Sequence, residues 1–394
     1  MAGALNGLKI LDFTTLLPGP YATMNLADMG ADVLRIVSAS RPDLADTLPP
    51  FLPGTKMSAA SAQLGRNKKI MTLNLKDENA IKIIYKLVEE YDIVIEQFRP
   101  GVMAKLGLDY ESLKKINPRL IYGSLTGYGQ TGPMRDRAGH DINYIALSGV
   151  AGYSGTIAAG PSLFGMQIAD VASGSNNTMI GVLAAVIYRQ NTGKGQYIDI
   201  SMTDGMLAFN ASVGASYLMD GKETKREGMF LNGGSLYDYY ETKDGQYISF
   251  GGLEPPFFKA FCQTIGREDL ISGGCVRKDL AAVKEEIRQI IKTQSRDGWI
   301  EIFKNVDACL EPVLSIGEAF SSEYAQQRKM IVEVPAPNGQ KIKQIANPIK
   351  FSETPAEYRH IGKPVTDSDT KEIMLELGYT ENEIEELAKN GLFS

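Results

Sequence analysis

Leu8-Lys-Ile-Leu-Asp-Phe13, the helically spaced run Tyr21–Met29, Gly30, and Ala31-Asp-Val-Leu-Arg-Ile-Val37 together decide how this chain folds. The first run reads as a strand, broken by Pro18-Gly19-Pro20. Tyr21–Met29 reads as a helix, and Gly30 stands where a helix closes on a left-handed residue. The third run is a second strand. A β-α-β opening joins parallel strands, so the chain begins an α/β sheet. Arg35 falls near the carboxyl end of its strand, the edge where open α/β sheets bind ligands.

Beyond this unit, residues 39–65 are rich in Ser, Pro, Ala and Gly and read as one long loop, a length often tied to function. Arg66-Asn-Lys-Lys69 ends it, and a strand follows from Ile70. Asp77 opens a helix with Ile81, Ile84, Leu87 and Val88 on one face. Further strands are expected at Ile93–Glu96, 119–125 and 197–201, and helices over 171–189 and 204–219. From Gly221 the texture changes. Charges cluster over 222–227, and two strand-like runs flank Lys243-Asp244-Gly245, a hairpin signal. The expected division is a large α/β domain (1–220 plus 331–394) and a smaller α+β domain (221–330), with two charged helices near 368–377 and 381–389 packing back on the first.

Composition narrows the class. The 394 residues carry a net charge of −6, which gives nucleic-acid binding no electrostatic support. Three widely spaced cysteines argue against a disulfide framework or a cysteine zinc site, and fit a reducing cytoplasm. Two histidines leave little for a transition metal, so no metal is expected. No signal peptide, membrane span or peroxisomal address is expected from the first residues, the longest apolar run (179–188) or the closing Leu-Phe-Ser.

The chemistry-bearing stretch is Ala138-Gly-His140-Asp-Ile-Asn-Tyr144, taken with Asp170. Histidine suits moving a proton in both directions near neutral pH. Asp170, ahead of a small-residue helix, would have backbone donors beside it. On residue type alone the plainer readings are favoured: a packed histidine and a helix N-cap. Gly127-Tyr-Gly129-Gln-Thr-Gly132 matches a dinucleotide fingerprint literally. It is rejected because Pro133 and a charged run follow it and it is not in the first β-α turn. Gly193-Lys-Gly195 is no P-loop, and there is no G-x-S-x-G elbow.

Eight motifs, in order, resemble the family III CoA-transferase superfamily and, within it, the α-methylacyl-CoA racemases. They are Gly30-Ala-Asp-Val-Leu-Arg35-Ile, Arg66-Asn-Lys-Lys69, Phe98-Arg99-Pro-Gly-Val, Leu106-Gly-Leu, Thr126-Gly-Tyr-Gly-Gln-Thr-Gly-Pro133, Ala138–Tyr144, Thr192-Gly-Lys-Gly-Gln, and Gly252-Leu-Glu254-Pro-Pro-Phe. The resemblance runs from Leu8 to about Glu318. His140 and Glu254 match the racemases, whereas the CoA-transferases typically carry an aromatic residue at position 140. Val171-Ala-Ser-Gly-Ser175 departs from the Phe and glycine run usual after the racemase acid, and Met166–Asp170 looks transferase-like.

This resemblance implies an α/β fold, a Rossmann-like large domain with a smaller α+β domain, in an interlocked homodimer. It implies a racemase or epimerase that interconverts (R)- and (S)-2-methylacyl-CoA thioesters by two-base transfer of the α-proton through an enolate. His140 would face the S epimer and Asp170 the R epimer. Glu254 would orient His140 across the subunit boundary, although by itself it reads as a solvated acid beside a turn. A backbone N–H at the start of the helix after Asp170 would serve the enolate oxygen. Cations are needed for the CoA phosphates, and the candidates are Arg35, Arg66, Arg99 and Lys69. Tyr128 and Tyr144 would line the pantetheine or acyl path, or pack the core. CoA is part of the substrate, so no cofactor is expected, nor a nucleic-acid or membrane partner. The alternatives are a CoA-transferase with Asp170 as nucleophile, and a non-catalytic acyl-CoA-binding protein.

Overall fold

A computed structural model describes residues 3–394. Alternation along the first strand, β1 (Lys9–Phe13), explains the layering: Ile10 points into one apolar core, Leu11 and Phe13 into another. A sheet buried on both faces results. Its parallel neighbours are β2 (Asp32–Val37), β3 (Lys68–Thr72), β4 (Ile93–Glu96), β5 (Ile121–Thr126) and β6 (Tyr197–Ser201). The order is β3-β2-β1-β4-β5-β6, that of Rossmann-type doubly wound folds, with the topological switch between β1 and β4.

Helix Pro18–Asp28 begins at the prolines themselves, three residues earlier than expected. A proline lacks an N–H that the first turn would leave unpaired, and its fixed φ is already helical. Gly30 adopts φ 103°, closing the turn to β2 as predicted. Helix Glu78–Glu90 is capped by the Asp77 carboxylate and buries Ile83, Ile84, Leu87 and Val88. Helices Thr370–Glu376 and Glu381–Lys389 add Ile373, Met374 and Ile384 to the same core. The opposite face is covered by Leu26 and Ala27 of Pro18–Asp28 and by Val182, Ala185 and Val186 of helix Asn176–Thr192.

The region read as one loop over 39–65 contains two short helices, Leu44–Thr47 and Ala59–Leu64, capped by the side chains of Asp43 and Ser58. Each N-cap side chain accepts a backbone N–H of the first turn, which stabilises these short pieces despite their length. Ala62 packs with Met57, Val334 and Ile361 beside the antiparallel pair β10 (Ile331–Pro335) and β11 (Lys341–Ile345). (The intervening β7 (Asp238–Glu241), β8 (Tyr247–Phe250) and β9 (Leu310–Pro312) belong to the second unit.)

The chain divides into two compact units. The first holds the residues up to Leu147, Gly165–Ala208 and Tyr324–Ser394; the second holds Ser148–Phe164 and Phe209–Glu323. In the second unit, β7 (Asp238–Glu241), β8 (Tyr247–Phe250) and β9 (Leu310–Pro312) form an antiparallel sheet. Gly245 takes φ 72° in the β7–β8 hairpin, as its position after Lys243-Asp244 predicts. Helices Pro255–Thr264, Leu280–Ile291 and Arg296–Phe303 cover it, with Phe250, Phe258, Phe261, Trp299 and Phe303 at the centre. Among the described residues, no helix is long and apolar enough to cross a membrane, and no group of His, Cys, Asp or Glu is clustered to hold a metal ion.

Candidate active site

His140 and Asp170 come together in the first unit through an acid between them in function, Asp141. His140 precedes helix Asp141–Leu147 and is exposed. Its backbone N–H donates to Asn143 Oδ1 at 3.0 Å, and its carbonyl accepts the Asn143 N–H at 2.8 Å, a reciprocal helix-start pair. The imidazole makes no hydrogen bond to the described residues, which leaves both ring nitrogens available. The Asp141 carboxylate accepts the N–H of Ala169 at 2.6 Å and of Asp170 at 3.0 Å. It thereby ties the start of one helix to the start of the next.

Asp170 is not an N-cap. It lies inside the first turn of a π-helical stretch, Ala169–Ser175, that runs into Asn176–Thr192. The two N–H groups at that helix start are already taken by Asp141, and the Val171 N–H donates to the Gln167 carbonyl. The expected enolate donor at the helix start is therefore not offered by these three residues. Asp170 is half-buried, and its carboxyl is pushed up to about 6, first by burial and then by the Asp141 carboxylate; the charge of His140 opposes the rise. That brings it close to the range in which an imidazole ordinarily titrates.

Two tyrosines hold the backbone before the histidine. Tyr144 is buried, and its hydroxyl donates to the Gly139 carbonyl at 2.6 Å. Burial and the Asp170 charge push this phenol up, so it stays a donor. The Tyr128 ring meets Tyr144 edge-on at 5.2 Å. Gly139 is required here by close approach: a Cβ would lie 2.5 Å from the Tyr128 hydroxyl. The loop carrying Tyr128 is the glycine-rich stretch after β5. No helix follows it until Asp141, in accord with rejecting a dinucleotide site.

The four predicted cations separate. Arg35 is buried in β2, its Nη2 2.6 Å from Asp43, while its Nε has no partner among the described residues. An unpaired buried donor of this kind suits an anion. Arg99 is exposed, three positions past the end of β4 and on the carboxyl edge of the sheet. Arg66 is a correction. It is fully buried, with Nε and Nη2 on the two Asp28 oxygens at 2.9 and 2.6 Å, and Nη1 on Gln344 and the Ile345 carbonyl. It also precedes β3. In a parallel sheet that is the amino edge, opposite the ligand edge. Lys69, the second residue of β3, lies at the same edge and pairs with Glu372 at 3.0 Å and Glu376 at 3.7 Å. The motif Arg66–Lys69 is thus spent on the interior and on helix Thr370–Glu376. Glu254 lies in the second unit, exposed at the N-cap position of helix Pro255–Thr264, and makes no capping bond with its side chain.

Asp141 carries more of this geometry than its place in the motif signalled, and a second polar group, Glu96 with Ser124 and Gln130, went unread. Glu96 ends what reads in sequence as a plain buried strand, and nothing local marks its side chain as paired.

The arrangement matches known proteins over nearly the whole chain. Residues 5–370 match the family model described as CoA-transferase family III. The human α-methylacyl-CoA racemase is 31% identical over 386 residues, covering 98% of this chain and 96% of that protein. A mouse succinyl-CoA:glutarate CoA-transferase is also 31% identical, covering 98% of this chain and 90% of its own. The crystal structure of a CaiB/BaiF family protein from Brucella suis superposes with a TM-score of 0.83 at 29% identity, covering 96% of this chain and all of that one. The chain belongs to CoA-transferase family III.

Proposed function

We propose that this protein is a racemase that interconverts (R)- and (S)-2-methylacyl-CoA thioesters. The observation that carries the reading is the pairing of His140 with an Asp170 carboxyl raised to about 6. Moving an α-proton from one face to the other needs one group that accepts while the other donates, and the reverse reaction swaps them. An Asp170 carboxyl raised above the usual carboxylate range takes up and returns a proton more readily near neutral pH. Asp170 takes the α-proton of the R epimer while protonated His140 returns one to the opposite face; for the S epimer the order reverses. Carbon, proton and charge balance without a redox partner, since the enolate formed by the first transfer is quenched by the second.

Arg35, with its unpaired Nε, and Arg99 are the cations assigned to the CoA phosphates. Tyr128 and Tyr144 are assigned to hold His140 through Gly139. Glu254 is assigned to orient the imidazole in a homodimer. The substrate is the acyl-CoA itself, with no further cofactor or metal.

The test is proton NMR of an (S)-2-methylacyl-CoA with the purified protein in deuterated buffer and no added carboxylic acid. Loss of the α-proton signal and growth of the R epimer are expected, both abolished in His140→Ala, with growth of the R epimer abolished in Asp170→Asn. A persistent α-proton across several acyl chains overturns the reading. The equal similarity to a CoA-transferase supports a second one, in which Asp170 attacks the thioester carbonyl, forms a mixed anhydride and releases CoA thiolate. That reading expects turnover only with an acceptor acid, and inactivation by hydroxylamine after charging with acyl-CoA.

A further inference from the structure

Glu96, Ser124 and Asp199 stand in register on β4, β5 and β6, so three polar side chains form one row across adjacent strands. Glu96 is 4% exposed. Its Oε1 and the Ser124 hydroxyl share a short hydrogen bond, and its Oε2 accepts the Phe98 N–H at 2.8 Å. The Ser124 oxygen accepts from Gln130 Nε2 at 2.7 Å, and the Gln130 N–H donates to the Asp199 carboxylate at 3.0 and 3.2 Å. Gln130 is therefore pinned to the row by side chain and backbone together.

Gln130 belongs to the glycine-rich loop. The same loop is anchored again at Gly127, whose carbonyl accepts the Thr203 N–H at 3.0 Å and hydroxyl at 2.7 Å. Tyr128 lies between these two anchors and bears on Tyr144 and Gly139, next to His140. Burying an acid with no cation beside it disfavours its charged form. The titratable groups that face Glu96 are Asp199, Tyr122 and Tyr197, all of them acids. Burial, with Asp199 adding, pushes its carboxyl up to about 7.

We propose that Glu96 is a positioning residue for His140, acting through Ser124 and Gln130 on the loop whose tyrosine holds the backbone before the histidine. This deepens the reading of His140 as an acid–base group and rests on it. The proton on Glu96 decides which way the row is polarised. Neutral Glu96 donates to the Ser124 oxygen, freeing the serine proton for the Tyr197 oxygen; ionised Glu96 draws the serine proton to itself. The two arrangements hold Gln130 with different strength.

Glu96→Gln keeps the shape and removes the ionisation. We expect kcat for α-proton exchange to fall by about 10-fold, within the range that sub-ångström misplacement of a reacting group produces, with KM unchanged. We also expect the kcat–pH profile to lose an inflection near pH 7 that the unaltered protein shows. The two histidines allow a readout independent of turnover. In a His360→Gln background, the pH dependence of the His140 ring-proton shift should differ between the unaltered chain and Glu96→Gln. If Glu96→Gln does not fold, Gln130→Met cuts the same link and should change the His140 ring-proton pH dependence in the same way. Superimposable kcat profiles and His140 titrations for the altered and unaltered chains overturn the proposal. Absence of exchange in the unaltered protein overturns the racemase reading alone, and the His140 titration still decides the role of Glu96.

Discussion

Replacing Arg66 by Met should unfold this protein more readily without weakening its hold on CoA. The side chain is fully buried, with two donors on Asp28, one shared between Gln344 and the Ile345 carbonyl, and Tyr358 over its guanidinium at 5.0 Å. Met fills much of the volume but donates nothing. The Asp28 carboxylate would then keep only the amide of Asn67 and that of Asn347 as neutral partners. Breaking a buried ion pair from one side typically costs about 3–5 kcal/mol, because the remaining charge stays buried. That raises the unfolded fraction by roughly two to four powers of ten. The assay is urea unfolding followed by circular dichroism, with CoA binding measured by calorimetry on the folded variant. Asp28→Leu combined with Arg66→Met should regain most of the loss, since an apolar pair leaves no orphaned charge. A loss below about 1 kcal/mol, together with CoA binding weakened by an order of magnitude, would refute the interior role and return Arg66 to the ligand site.

Exchange starting from the R epimer should decline as pH falls through about 6, because Asp170 must be ionised to accept the proton and its carboxyl is raised to that value; a rate that stays flat to about pH 5 contradicts this. Glu96 binds a proton more tightly in the folded state, its carboxyl having risen from 4.5 to about 7. Folding stability should therefore fall by about 3 kcal/mol as pH rises between those values, and urea midpoints for Glu96→Gln should lack this slope. Gly139→Ala places a Cβ 2.5 Å from the Tyr128 hydroxyl and 2.8 Å from the Tyr144 ring. It should cost about 1–3 kcal/mol of stability, read as a lower urea midpoint, and reduce kcat while CoA binding is retained; an unchanged kcat refutes the tyrosine clamp.

Much of the first unit was legible because its signals are local. The apolar runs at 8–13 and 31–37, the glycine at 30 and the Asp77 cap each act within a few residues, so strand, helix and turn follow from chemistry along the chain. The same holds for the 243–245 hairpin. The run at 39–65 was misread because two short helices there depend on single capping side chains, whose effect is weak against a background of Pro, Ser and Gly.

The sequence by itself determined the parallel α/β opening and the family, and it singled out one histidine and one aspartate that the fold brings near each other. These rest on residue types and spacings that the chain carries wherever it goes. Only the tertiary structure decided where the charges are spent. Arg66 and Lys69 look like Arg35 and Arg99 in sequence, but strand direction puts the first two at the amino edge, beside carboxylates that arrive from residues 28, 372 and 376. Likewise Asp141 reaches the helix start at 169–170, and Glu96 meets Ser124, only because distant segments pack side by side. A side chain's proton affinity and partners are set by what surrounds it in space, and local sequence does not carry that information.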